Sequence, residues 1–330
     1  MTKRSVAVLM ALVVALLGFS STAFAQNPGD ITIVMIVKQS DPWFDDMELG
    51  INQFKADTGV NAYTLTPESG DPALQIAIME NLIAQQVDAI TIVPNDPKAM
   101  IPVIQKAREA GIVVITHEAP DIAEHVDLDI EAFRNEDFGI LMGKSLAEKM
   151  GGKGKYAGFV GGLTMTTHME WYNAAVKYIE ENYPEMKNIS KEPYVDENNL
   201  QVAYNRSLEI LRVHPDIGGF FDCSAHGAGI AQAVRERGRS EDVVVASLAI
   251  PSMSATFLKD CSMDHGQAWR PADAGYATVY AAYKLVVGEE VVTGTNLKAT
   301  GYEDVVVEDR IVYGYAPLVI TAENVDDFEF

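Results

Sequence analysis

The chain has 330 residues, of which 48% are hydrophobic, and 47 acidic against 25 basic side chains give a formal charge of −22. So negative a field disfavours nucleic acid and anionic membranes as partners. The length exceeds what one small core organises, so two domains are expected.

At the N-terminus, Lys3 and Arg4 precede the apolar run Val6 to Leu17 and the small-x-small pattern Ala23-Phe24-Ala25. This pattern predicts a signal peptide over residues 1–25, with Gln26 opening a mature chain of charge −24. The apolar run is shorter than the ~20 residues of a spanning helix, and no later stretch reaches that length. An exported, soluble protein of the periplasm is expected. The absence of a cysteine at the cleavage site gives no indication of a lipid anchor. Cys223 and Cys261 could pair in an oxidising compartment, a matter of distance that spacing leaves open.

From Ile31 to Glu118 the chain alternates strand and helix, with strands expected at Ile31–Val37, Ala62–Thr66, Ala89–Val93 and Ile112–Glu118. That rhythm implies a parallel sheet. Asp71-Pro72 and Asp96-Pro97 read as an N-cap acceptor before proline at the first helical position, and Gly111 as a helix stop. The rhythm resumes near Lys155, with strands at about Tyr156–Val160, Gly219–Asp222 and Val243–Ala249. Helices are expected over Glu170–Tyr183, Leu200–Val213, Gly229–Arg237, Ser252–Lys259 and Ala272–Val287. Two similar doubly wound parallel-sheet domains, joined by a multi-strand hinge with a ligand cleft between them, follow from this. No Gly/Ser-rich linker separates the halves, and the polar stretch Asp121 to Arg134 and the segment Gln267 to Pro271 are the crossover candidates. The N-terminal lobe is placed at residues 26–118 plus about 270–300, and the C-terminal lobe at 119–269 plus about 301–330.

The first strand runs into Lys38-Gln39-Ser40-Asp41-Pro42-Trp43-Phe44, ahead of a helix expected from about Asp45 to Thr58. In open α/β sheets ligands sit beyond the carboxyl ends of strands, so two aromatic rings and a carboxylate stand at the cleft. The competing reading is that Trp43 and Phe44 merely cap the core.

Asp41-Pro42-Trp43-Phe44 resembles the Asn-Pro-aromatic-aromatic turn of sugar binders among the periplasmic solute-binding proteins of ABC importers. Ile92-Val93-Pro94-Asn95-Asp96-Pro97 and Ala110-Gly111-Ile112-Val113-Val114-Ile115-Thr116 are similar to that family's type I members as well. The ending Val319 to Phe330 resembles the autoinducer-2 and rhamnose subgroup.

The resemblance implies ligand contacts, residue by residue. Lys38, with Gln39 beside it, matches a lysine that autoinducer-2 binders use, and Asp41 a polar contact beside the aromatic pair Trp43 and Phe44. Glu118 stands where the family has an aspartate accepting ligand hydroxyls, and Asn135 matches a ligand-contacting asparagine. His168 falls where sugar binders carry arginine, Ser224 and Ala225 at a contact-bearing strand end, and Trp269 at the hinge. The sequence also departs from the pattern: Leu248 or Ala249 replaces an aspartate of many sugar binders, and Thr167 one of autoinducer-2 binders. A relative with a changed ligand is implied. Aromatic faces with carboxylate acceptors suit a small, uncharged, polyhydroxylated molecule.

Other chemistries find less support. Asp41 and Glu118 as a glycosidase pair would be two acids drawn from 47. The six histidines show no His-x-x-x-His spacing, so no metal is expected, and no cofactor. Gly158-Phe159-Val160-Gly161-Gly162 lacks a phosphate-cradling pattern. His117 reads as a satisfied core residue, His214 as a helix end, and Trp171 as either a site residue or part of the apolar face with Ala174, Ala175 and Ile179. A ligand-touching His168 would make affinity fall as pH drops through ~6.5. The expectation is a monomeric, non-enzymatic receptor that closes on a sugar, sugar alcohol or autoinducer-2-like ligand and delivers it to an importer permease. The alternative is a chemotaxis or quorum-sensing receptor using the same closed form.

Overall fold

The computed structural model describes residues 27–328 and 330, so the leader expected over residues 1–25 lies outside the described residues. The first lobe begins as β1 (Thr32–Ile36), α1 (Pro42–Thr58), β2 (Asn61–Leu65), α2 (Pro72–Gln85), β3 (Ala89–Ile92), α3 (Pro97–Glu109), β4 (Val113–His117) and β5 (Leu128–Glu131). Its helices start alike. The side chains of Asp41, Asp71 and Asp96 accept hydrogen bonds from the backbone N–H groups of Trp43, Ala73 and Ala99 at 3.0, 2.9 and 3.1 Å, each ahead of a first-turn proline. The cap on α1 starts that helix before Asp45, which sets Trp43 and Phe44 on its first turn.

The chain continues through α4 (Asn135–Lys149), β6 (Lys153–Val160), α5 (Thr166–Asn182), β7 (Glu185–Asn188), β8 (Tyr194–Val195), α6 (Leu200–Val213), β9 (Ile217–Asp222), α7 (Gly227–Glu236), β10 (Val244–Leu248), α8 (Pro251–Lys259) and β11 (His265–Ala268). It then passes through α9 (Pro271–Val286), β12 (Val306–Glu308), β13 (Ile311–Tyr313) and β14 (Leu318–Ile320). One sheet has the order β12-β13-β5-β4-β3-β1-β2, the other β14-β11-β10-β9-β6-β7, with β8 also pairing β6. Strands in both are mostly parallel; β12 against β13 and β14 against β11 run antiparallel.

The chain crosses between sheets after β5, after β11 and after β13, so the lobes share a three-segment hinge. Sheet membership moves the expected lobe boundaries. The first crossing lies after β5, not at residue 119, because Leu128–Glu131 pairs with β4 in the register Thr116↔Asp129. Its two carboxylates disguise it as a polar crossover, yet both are buried, and Asp129 accepts from Thr116 Oγ1 at 2.7 Å and from the Ala119 N–H at 3.1 Å. Likewise the tail first extends the N-terminal sheet through β12 and β13, and only β14 enters the second.

Two helix pairs are set flush by glycine. A Cβ on Gly50 of α1 would lie 1.8 Å from the Ala272 carbonyl oxygen of α9, and one on Gly139 of α4 would lie 2.4 Å from the Trp171 carbonyl oxygen of α5. Cys223 is buried at the end of β9 and Cys261 is exposed after α8; both are free thiols, so the disulfide considered from sequence is not formed. Among the described residues no helix is long and apolar enough to cross a membrane.

Candidate functional site

Both sheets point the carboxyl ends of their strands at one interlobe cleft, and the side chains there come from short stretches just past those ends. On the first-lobe wall, Lys38 and Gln39 follow β1, Asp41 caps α1, and Trp43 and Phe44 occupy its first turn. A buried amide relay fixes this stretch. Gln75 donates to the carbonyls of Val37 and Val93 at 3.0 and 2.8 Å and accepts from the Asn95 N–H at 2.9 Å, while Asn95 donates to the Lys38 carbonyl at 2.9 Å. Glu118 ends β4 with φ 61°, a conformation that a non-glycine residue adopts at a cost of order 1–3 kcal/mol. That turn brings its carboxylate to Lys38, with Nζ to Oε2 at 2.5 Å and both side chains buried.

Opposite, Ser224 and Ala225 follow β9, Leu248 ends β10, and Asn198 lies in the loop between β8 and α6. Asp222 organises this wall: its Oδ1 accepts from the Ser224 N–H and its Oδ2 from the His226 N–H, each at 2.9 Å. The Ser224 hydroxyl donates to Asp196, and Ala225 is held at φ 71°. His168, on the first turn of α5, accepts from the Gly161 N–H through Nδ1 at 3.2 Å and stacks on Trp171 with ring centroids 5.5 Å apart. Burial, then the charges of Lys38 and His226, hold its pKa well below the ordinary histidine value. Its neutral form therefore persists far below pH 6.5, and the affinity loss expected near that pH moves to more acid conditions.

Trp269 floors the cleft from the second crossing, edge-on to Trp43 with centroids 4.7 Å apart. Behind it Phe133, Phe138 and Trp171 continue the aromatic packing. The enclosed space is about 40 Å³, room for a few waters, so anything larger requires the lobes to part. Among the described residues, polar contacts join them across it at Asp41 Oδ2 to His226 Nε2, 3.3 Å, at Gln39 Nε2 donating to the Asn198 carbonyl at 3.3 Å, and at Thr167 Oγ1 donating to the Glu118 carbonyl at 2.8 Å.

Of the residues singled out from sequence, Lys38, Gln39, Asp41, Trp43, Phe44 and Glu118 line the cavity from the first lobe. His168, Ser224 and Ala225 do so from the second, with Trp269 at the hinge. Asn135 does not. Its amide donates to Glu131 at 3.1 Å and to Glu170 at 2.8 Å and accepts from Trp171 Nε1 at 2.8 Å, so it ties hinge strand to helix instead. Trp171 is accordingly part of the packing. His117 is buried with Nδ1 on the Ile130 carbonyl at 2.6 Å, but its Nε2 has no hydrogen-bond partner and lies 3.8 Å from Glu118 Oε1, so its hydrogen bonding is only half satisfied. Sequence reasoning missed Asn198 and His226 and treated Leu248 only as a departure. His226 stands two residues past Ser224 on the same strand end, a spacing that could have found it; Asn198 sits in an irregular loop with no periodic signal. No cluster of three or more potential metal ligands occurs among the described residues.

The wall charges balance locally, Lys38 against Glu118 and His226 against Asp41, with His168 neutral. An uncharged guest meets no unpaired charge there. Two hinged α/β lobes closing on such a cavity define the class, a two-lobed solute-binding protein. The periplasmic binding protein domain family matches residues 31–290, and the chain belongs to that family. The D-ribose/D-allose-binding protein of Pseudomonas aeruginosa is 27% identical over 288 residues, covering 82% of this chain and 86% of its own. The ribose import binding protein of Escherichia coli is 24% identical, covering 86% and 94%. Among solved structures, an ABC transporter solute-binding protein from Burkholderia graminis in complex with D-arabinose superposes with a TM-score of 0.81 at 23% identity, covering 92% of this chain and 100% of that one. LsrB from Clostridium saccharobutylicum in complex with AI-2 gives 0.82 at 19%, covering 91% and 100%. At these identities the two structures show the shared fold.

Proposed function

We propose that this protein captures a small, uncharged, polyhydroxylated molecule, a sugar or sugar alcohol, by closing its lobes, and delivers it to the permease of an ABC importer. The observation that carries this is the cavity itself, in which indole and phenyl rings stand beside carboxylate and imidazole groups whose charges are already paired. Rings cover the C–H face of a sugar while carboxylates accept its hydroxyl protons. Glu118, Asp41, Lys38 and His168 are the polar contacts in this reading, and Trp43, Phe44 and Trp269 the apolar ones. Relatives named for ribose, allose and import support the same reading. The protein acts as a monomer without enzymatic turnover, and residues 1–25 are removed on export to the periplasm.

A thermal-shift screen over pentoses, hexoses, deoxyhexoses, pentitols and autoinducer-2 tests this. A ligand at 100 times its dissociation constant adds ~2.7 kcal/mol of stability. Trp43→Ala should lose most of that ligand-induced shift, whatever it does to the unliganded melting temperature. A full shift in the variant removes the aromatic platform, and silence across the panel removes the sugar reading.

A further inference from the structure

Among the described residues, His226 is the one imidazole that reaches from one lobe to a carboxylate of the other. Its two nitrogens face acceptors only: Nδ1 meets the Ser224 carbonyl at 2.8 Å, and Nε2 meets Asp41 Oδ2 at 3.3 Å. A neutral imidazole has one N–H and one lone pair, so either tautomer would set a lone pair against an oxygen. Only the imidazolium satisfies both. Asp41 is oriented for this contact as well, since its Oδ1 accepts from the Trp43 N–H and its Oδ2 faces His226.

We propose that Asp41 and His226 form a charged latch across the cleft, which weights the receptor toward its closed form and ties closure to pH. Every element around His226 bears on its charge. Asp41 faces it from the first lobe; Asp222 at the end of β9 and Asp196 after β8 face it from behind; His168 on α5 is a neutral neighbour. The N-terminus of α7, where His226 stands at the N-cap position without a side-chain capping bond, opposes a positive charge. Burial also opposes it, but the Asp41 contact and the Asp196, Asp41 and Asp222 carboxyls outweigh burial and raise its pKa above the ordinary value, while burial raises Asp196 and Asp222 themselves. Opening removes Asp41 and lowers that pKa. Closure is therefore favoured while His226 is protonated in both forms, and the advantage is lost as pH rises through the closed-form pKa, above ~6.5.

This inference concerns the lobes and not the guest, so its test needs no ligand. Small-angle scattering of the exported protein from about pH 5.5 to about pH 9.5 should show the radius of gyration stepping upward with pH. The step should vanish in His226→Gln, which keeps the backbone bond to Asp222, and in Asp41→Asn, which keeps a cap for α1. Circular dichroism checks that both variants are folded. Burial pushes Asp129 up to about 7, inside the same pH range, so loss of the step in the His226 variant is what assigns it. A flat wild-type profile, or a step that survives in either folded variant, overturns the latch. A sugar that binds beside a flat profile overturns the latch alone; a silent sugar panel beside a step that His226→Gln abolishes overturns the sugar reading alone.

Discussion

Lys38 and Glu118 show what burial does to a pair of side chains at a strand end. Neither is more than slightly exposed, and their contact of 2.5 Å is what makes a charge on either tolerable there. Lys38→Met should destabilise the protein by ~3–5 kcal/mol in urea unfolding, since it strands a buried carboxylate; adding Glu118→Gln should recover part of the loss. An unchanged midpoint in the single variant would mean that water already reaches Glu118. The residue types in this stretch were legible from sequence, because a βα turn in a parallel sheet faces its cleft wherever the chain later goes. Asn135 was not: whether an amide turns to a cleft or to Glu131 and Glu170 depends on where α5 lies, which local pattern does not encode.

Helices declared themselves where their ends were chemically marked. The Asp-Pro starts of α2 and α3 and the glycine after α3 were readable because capping acts within four residues. Helix α4 was not among the helices expected from sequence, since Gly139 and Gly143 interrupt its apolar face, and those same glycines let it lie against α5. Gly139→Ala would press a methyl to within 2.4 Å of the Trp171 carbonyl oxygen and should cost ~1–3 kcal/mol by overpacking. Gly29→Ala, whose Cβ would meet nothing nearer than 3.8 Å, should be close to neutral in the same chemical denaturation. Equal midpoints for the two variants would show that the α4–α5 contact yields easily.

In the whole molecule the hinge carries an unusual buried charge. Burial pushes Asp129 up to about 7, and burial together with the neighbouring Asp129 pushes Glu131 well above the ordinary carboxyl value. Between them the two carboxyls have oxygens without a partner, Asp129 Oδ2 and Glu131 Oε1, which suits a proton shared by the pair. A carboxyl that binds its proton more tightly when folded favours the native state below its unfolded pKa, and that advantage disappears as pH rises through the folded value. Melting temperature should therefore decline between about pH 4 and about pH 7 from this source. Asp129→Asn keeps an acceptor for Thr116 and offers Glu131 a permanent donor, so it should flatten that decline; a slope identical to wild type would place the titration elsewhere.

The alternation of strand and helix, the acidic caps and the aromatic pair after β1 follow from forces acting over a few residues, and the chain alone therefore settled the two-lobed α/β class and most of the first-lobe wall. Which strands share a sheet, where the chain crosses between lobes, and that His226 meets Asp41 were decided by packing between segments far apart in sequence. Such contacts depend on the relative placement of whole lobes, and no local periodicity carries that information.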